Sequence, residues 1–346
     1  MALAGAAQAQ AASAPAAGAP VSLRIVGGLA GVNQFTRHEE PFWRQELPRL
    51  SGGRLRADIA AFDRAGIRGQ DMLRLMKLGV VPFGTALLSL SSQTEPLLGA
   101  PDLAGLNPDM TALRRHSTAW RPLLEKTLRE KHNIELLAVY VYPAQMLFCR
   151  RPLTGLADLA GRRIRTASPT QVDWVESLGA KAVITPFAEL KQGLRNGSTD
   201  CALTGSMSGF TIGLHELTTH VYTMPINWGM ALFGANTAAW AALPADQRAM
   251  LKQELLRLEQ AIWAESERET AAGVRCLTGK AGNDDCGGAP QGGMTAVAPT
   301  AADEKRRREV LAGTVLPRWV QRCGGPCAAA WNETIGPVGG VQAGPR

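Results

Sequence analysis

The sequence predicts a two-lobed α/β protein with mostly parallel sheets, helices on both sheet faces and one long helix packing across the lobes. Three observations carry this expectation. Short strand-like apolar runs alternate with helix-period stretches, the pattern that layers helices on parallel sheets. With 346 residues, 45% of them hydrophobic, the chain can bury more than one core. An amphipathic run opening at Pro244 carries Asp246 in its first turn and presents Met250, Leu251, Leu255, Leu258 and Ile262 on one side.

The first twenty residues, MALAGAAQAQAASAPAAGAP, are Ala-rich, uncharged and too polar for a core element, and read as a signal-peptide remnant or a disordered leader. AQA occurs at 7–9 and 9–11 as a small-residue cleavage pattern, without the basic start and most of the apolar stretch that precede such sites. The expectation is a start assigned too far downstream, or an upstream part cut away. Strand-like runs then follow at LRIV (23–26), LRADIA (55–60), LLAVYVY (136–142), MLFC (146–149), IRTA (164–167), AVITP (182–186), CALTG (201–205) and MALFGA (230–235). Helical faces fall between them: Trp43, Leu47 and Leu50; Leu113, Trp120, Leu124 and Leu128; Val172, Val175 and Leu178. The run LGVVPFGTALLSL is too short to span a bilayer and contains a proline, so the mature chain is expected to be soluble. No short-period repeat is present.

Charge excludes more than it suggests. The net charge of +7 comes from 37 Lys and Arg scattered among 30 Asp and Glu, and only 5% of residues are aromatic. With no recognition-helix or zinc-finger pattern, nucleic acid is not an expected partner. The densest run, EKRRR at 304–308, reads as a solvated helix face.

Of the six cysteines, Cys276 and Cys286 bracket CLTGKAGNDDC, and Cys323 and Cys327 bracket CGGPC. Local disulfides fit these Gly-rich turns, and closing a loop of about ten residues contributes roughly 3 kcal/mol in the chain-entropy treatment. Zinc prefers tighter spacing, and CGGPC has one residue too many for a redox pair, so no metal or cofactor is expected. Cys149 and Cys201 lie in apolar strands, where buried free thiols are the default reading.

Enzyme motifs fail on spacing. GGLAG at 27–31 lacks the G-x-G-x-x-G arrangement, and no P-loop occurs. In HELTTH, His215 and His220 are five apart and would face different sides of a helix. GSMSG around Ser206 lacks the strand–turn–helix context and the acid and base of a hydrolase.

Arg165 poses a different question, because it stands where a buried strand ends and cannot shed its charge. The run LADLAGRRIRTASPTQVDWVESLGAKAVITPFAELKQGLRNGSTDCALTGSMSG, followed by HVYTMPINWGMALFGANTAAWAALPADQRAML, resembles the second lobe and long helix of TRAP transporter solute-binding proteins of the DctP type. The likeness extends from LRIVGG to the helix after Pro244, and is most specific in the G-x-x-x-R element, the PFAEL segment and the NGSTDC strand entry. It implies a periplasmic-binding-protein fold, type II-like, with a leader at 1–20, lobe I at 21–145 and lobe II at 146–230. Residues 231–346 then return to lobe I with the long helix and a disulfide-bearing C-terminal segment. It further implies a monomeric periplasmic receptor, not an enzyme, that closes on a small organic acid and hands it to TRAP membrane permease subunits. An exported enzyme using Cys201 or Ser206 as nucleophile, or a ligand-sensing receptor for a signalling partner, are the alternatives.

The resemblance also implies a binding site. An arginine closing the strand after the DLxG turn typically forms a two-pronged salt bridge with the ligand carboxylate, and Arg165 holds that position. Elementary chemistry agrees, since a guanidinium fork matches a carboxylate and α/β clefts open at the C-terminal ends of parallel strands. Arg162 and Arg163, nearer the turn, read as solvated. Phe187 occupies the place of a ligand-facing aromatic. Thr204 stands where an asparagine often binds, in DCALTG, where Cys201 replaces the usual glycine; the polar contact falls to Thr204 or Ser206. Gln145 falls where some members carry a second arginine, which suggests a ligand with one carboxylate, or with a second polar end that is not charged. Gln34, after the first strand, and Trp228, near the lobe crossing, complete the expected pocket.

Overall fold

The computed structural model describes residues 20–282 and 285–344, so the leader expected at 1–20 lies, except for Pro20, outside the described residues. Among the described residues, eleven strands form two sheets. The first contains β1 (Val21–Gly27), β2 (Leu55–Ala61), β3 (Phe83–Leu87), β4 (Ile134–Val141) and β10 (Met230–Asn236), in the order β2-β1-β3-β10-β4. The second contains β5 (Gln145–Cys149), β6 (Arg163–Thr166), β7 (Lys181–Ile184), β8 (Cys201–Gly205), β9 (His220–Asn227) and β11 (Thr295–Val297), in the order β11-β9-β5-β8-β6-β7. Both are mixed. The parallel pairs join β1 to β2 and β3, β6 to β7 and β8, and β9 to β11, whereas β10 runs antiparallel to β3 and β4, and β5 to β8 and β9. The antiparallel strands are those entered directly from the other sheet, where no crossover helix intervenes to reverse the chain.

Two such crossings lie side by side. One runs from β4 through Tyr142 to β5, the other from β9 through Trp228 and Gly229 to β10, and the Tyr142 N–H donates to the Gly229 carbonyl at 3.0 Å. Gly229 has φ +80°, a left-handed backbone that favours glycine, and a Cβ there would also displace the Gln145 side-chain amide, whose Nε2 lies 2.7 Å away. Asp102 accepts from the backbone N–H groups of Trp228 and Gly229 at 2.9 and 2.7 Å.

The long helix spans Ala245–Leu277 and ties both sheets together. On the first, Trp263 Nε1 and the Ser266 hydroxyl donate to the carbonyls of Val139 and Val141, each at 2.7 Å. Further along, Thr270 accepts from the Ala144 N–H at 3.0 Å, and Gly273 packs directly on the backbone of Ser206 and Met207. The face Leu113, Trp120, Leu124 and Leu128 is buried on the helix Met110–His132, whose N-terminus is capped by Asp109. In the helix Pro169–Ser177 the buried face is Gln171, Trp174 and Val175, with Val172 and Leu178 only partly covered.

Three expectations about charge and thiols are corrected. Cys149 and Cys201 are not free thiols: β5 and β8 place them directly opposite, and they are bonded at 2.07 Å. Links between Cys276 and Cys286 and between Cys323 and Cys327 are also present. Arg162 is buried rather than solvated, donating to the carbonyls of Arg151 and Pro152. Arg307, within EKRRR, is likewise buried, paired with the half-buried Glu304 and bonded to the Gly105 carbonyl; Lys305, Arg306 and Arg308 face water.

Candidate functional site

A cavity of about 300 Å³ lies between the two sheets, close to the crossings. From the first sheet and its loops come Leu29, Phe62, Leu87 and Tyr142; from the second come Gln145, Arg165, Phe187, Thr204 and Ser208. The lining is mainly apolar with a few convergent polar groups, the composition of a small-molecule site.

Arg165 is the buried cation of this wall, 3% exposed. Its Nε and Nη2 donate to the Thr185 carbonyl at 2.9 and 2.6 Å, and its Nη1 to the Leu203 carbonyl at 2.9 Å. These bonds come from the loop after β7 and from β8, the two neighbours of β6, so the sheet itself aims the side chain. A guanidinium carries more N–H donors than these contacts use, which leaves part of the fork for another acceptor. Among the described residues no carboxylate lies within ion-pair distance of Arg165, and burial pulls its pKa down to about 10. Neutral carbonyl dipoles hold the charge without cancelling it. By contrast Arg163 pairs with Asp200 at 2.9 Å, and that contact holds the Asp200 carboxyl down at about 2.

Thr204 and Phe187 line the cavity with Arg165, Thr204 on β8 and Phe187 at the turn after β7. Gln145 lines it too, and its Oε1 accepts from Gln171 Nε2. The same nitrogen lies 2.8 Å from Asn227 Oδ1. The other three expected residues lie outside the cavity lining. Gln34 donates to Ser266 and Glu269 of the long helix, at 3.1 and 2.8 Å. The Ser206 hydroxyl donates to the carbonyls of Glu269 and Thr270 on the same helix, and its neighbour two residues on, Ser208, is the one that reaches the cavity. Trp228 directs its indole N–H to the Asn107 carbonyl at 3.2 Å. Each of these polar groups is committed to an acceptor in the packing between sheets and helix.

Sequence reasoning passed over Tyr142, Ser208 and the apolar wall. Tyr142 directly follows β4, and the strand-end rule that singled out Arg165 would have found it. Behind it lies Glu39, completely buried, whose Oε2 accepts from the Gly28 N–H and the Thr85 hydroxyl; burial pushes its pKa up to about 7. Among the described residues no group of three or more His, Cys, Asp and Glu is placed to hold a metal, and no helix is long and apolar enough to cross a membrane.

Two sheets joined by paired crossings, bridged by one helix and enclosing a mainly apolar cavity with a buried cation, define a two-lobed solute-binding protein. The chain belongs to the DctP family, bacterial extracellular solute-binding protein family 7, whose pattern matches residues 35–278. It is 26% identical over 231 residues to the outer membrane transporter protein TsaT of Comamonas testosteroni, covering 64% of this chain and 66%, just under two thirds, of that protein. The fold is similar to that of DctP7 of Bordetella pertussis, an extracytoplasmic solute receptor binding pyroglutamic acid (TM-score 0.80, 20% identity, 90% of this chain and 99% of that one). It is also similar to a TRAP periplasmic solute-binding protein from Desulfovibrio salexigens with bound orotic acid (TM-score 0.78, 15% identity, 89% and 96%).

Proposed function

We propose that this protein is a monomeric periplasmic receptor that captures an organic acid by closing its lobes, with Arg165 bridging to the ligand carboxylate, and delivers it to a TRAP-type membrane permease. The observation that carries the reading is Arg165 itself: a buried guanidinium facing a cavity, held by carbonyls, with donors left over and no acidic partner among the described residues. A carboxylate entering there supplies the missing charge and a bidentate fit. The acids bound by the Bordetella and Desulfovibrio proteins are in keeping with this chemistry.

Contacts from both sheets favour the closed arrangement once the acid is in place. Moving an open–closed equilibrium from 1:99 to 99:1 takes about 5.5 kcal/mol of differential affinity, within reach of a desolvated ion pair and a few hydrogen bonds. The enzyme alternative is weakened because Cys201 is tied to Cys149 and Ser206 is committed to the long helix. Calorimetry with a panel of mono- and dicarboxylates tests the proposal. Wild type should bind at least one acid, and a folded Arg165→Ala protein should bind none; wild-type affinity in that variant would sink the assignment.

A further inference from the structure

The two sides of the cavity differ in chemistry. Apart from Tyr142, the buried polar side chains in its lining are Arg165, Thr204 and Ser208, among the described residues, and all three belong to the second sheet or the segment that follows β8. Opposite them, Leu29, Phe62, Leu87 and Met230 of the first sheet and its loops are buried and apolar. Tyr142 extends that surface: its hydroxyl is fully enclosed, so its side chain can offer the cavity only its ring. Half-buried Leu90 continues the wall and meets the Phe62 ring over Gly69, where a Cβ would collide with Leu90 and press on the ring. The other polar side chains on this side keep water as a partner, since Asp63, Arg68 and Gln70 are exposed and Ser89 is half-buried. Arg68 is also paired with Asp71, and Asp63 accepts from the Ala30 N–H.

We propose that the acid held by Arg165 is a monocarboxylate with an apolar body, an aryl or a branched or cyclic alkyl group, which the first-sheet wall selects. This rests on the carboxylate reading above and assigns the other half of the ligand. The carboxylate stays with the second sheet while the body lies against Phe62, Leu87, Leu90 and Met230, so one small molecule engages both sheets. Moving apolar surface from water onto such a wall contributes about fourfold in affinity per methylene. A hydroxyl laid on the same wall exchanges water for carbon, and without an acceptor it costs about fivefold or more. Polyhydroxy acids are therefore rejected by the wall even though Arg165 attracts their carboxylate.

Calorimetry on wild type, Arg165→Ala and Leu90→Ser tests this with two pairs matched in carbon skeleton: hexanoate and gluconate, cyclohexanecarboxylate and quinate. Wild type should bind the apolar member of at least one pair about tenfold or more tightly than its hydroxylated mate. Arg165→Ala should abolish that binding. Leu90→Ser, at a half-buried position, should lose about fivefold or more for the same apolar acid and nothing for the mate. Wild-type selectivity decides the matter should that variant fail to fold. Equal or tighter binding of the hydroxylated members, lost in Arg165→Ala, overturns the proposal and leaves the carboxylate reading standing. Undiminished affinity in Leu90→Ser overturns it too, because the body then lies elsewhere. Apolar-acid binding that survives in Arg165→Ala overturns both readings. Binding of none of the four acids sinks this proposal alone, provided that the wider panel of carboxylates yields an acid whose binding depends on Arg165.

Discussion

Asn227 donates its side-chain amide to Asp102 at 3.2 Å, at the point where the chain leaves the second sheet for the first. Its own Oδ1 accepts from Gln171, which also donates to Gln145 in the cavity wall. A continuous run of hydrogen bonds therefore links a cavity-lining side chain to the carboxylate that fixes the crossing. Networks of this kind are strong when complete and costly when broken.

Asp102→Ala should accordingly destabilise the protein. It strips acceptors from the Trp228 and Gly229 N–H groups and from Asn227, all in a buried setting. The expected loss is about 2–4 kcal/mol, read as a lower urea midpoint. A midpoint equal to wild type would show that water or another group satisfies these donors equally well.

Glu39 predicts a pH dependence with a definite sign. Burial raises its folded pKa from the ordinary 4.5 to about 7, so the folded protein binds the extra proton between those values. The stability this contributes is fully present below pH 4.5 and is lost as pH rises through 7. Glu39→Gln, neutral at every pH, should lack that decline, so its stability relative to wild type should rise by up to about 3 kcal/mol between pH 4.5 and 8. Melting temperatures of both proteins between pH 4.5 and 8 check it; parallel curves would refute a buried titrating Glu39.

The disulfide pattern gives a covalent prediction. Non-reducing peptide mapping of exported protein should return Cys149–Cys201, Cys276–Cys286 and Cys323–Cys327. Replacing both Cys149 and Cys201 by alanine reopens the largest loop, 52 residues in sequence separation, and should cost about 4 kcal/mol in the chain-entropy treatment. Free thiols at 149 and 201 would contradict the link.

The legible parts of the fold were those in which periodicity and burial coincide. Trp120, Leu124 and Leu128 stand at helical spacing and are buried together. β3 and β9 were missed because Gly84 and Pro225 interrupt their apolar runs, and β11 because its three residues lie among glycines and prolines. The Cys149–Cys201 link was invisible for another reason: it depends on strand register across 52 residues, which no local pattern encodes. The site divided in the same way. Arg165 could be found from its strand end and Thr204 from the family likeness, whereas Gln34 and Ser206 carried plausible chemistry at plausible positions but are claimed by a helix more than sixty residues away.

Arg165→Lys separates charge from shape. An ammonium keeps the positive charge but cannot reach both the Thr185 and Leu203 carbonyls while presenting a planar fork to a carboxylate. Affinity for the acid should fall at least about tenfold, while far-UV circular dichroism stays unchanged. Undiminished affinity would mean that charge alone anchors the ligand.

Gln145 gives the sharpest test of ligand choice. It shares the cavity with Arg165 but is neutral, and its oxygen is already engaged by Gln171. Beside it Phe187, Thr204 and Ser208 are uncharged and Glu189 is anionic, while Arg68, across the cavity, is exposed and paired with Asp71, so Arg165 is the one buried cation of the lining. A second carboxylate entering there would be desolvated without a charge partner, which costs more than a neutral amide bond returns. The protein should therefore prefer monocarboxylates to compact diacids. Gln145→Arg places a second cation in the wall and removes the acceptor from Gln171, which retains Asn227 as its partner. The new guanidinium is then repelled by Arg165, and a diacid relieves that repulsion. Its ratio of affinities for succinate over a monoacid of similar size should rise about tenfold or more relative to wild type, measured by competition calorimetry. Tight binding of succinate by the wild type, with every monoacid ignored, would reverse the reading of Gln145.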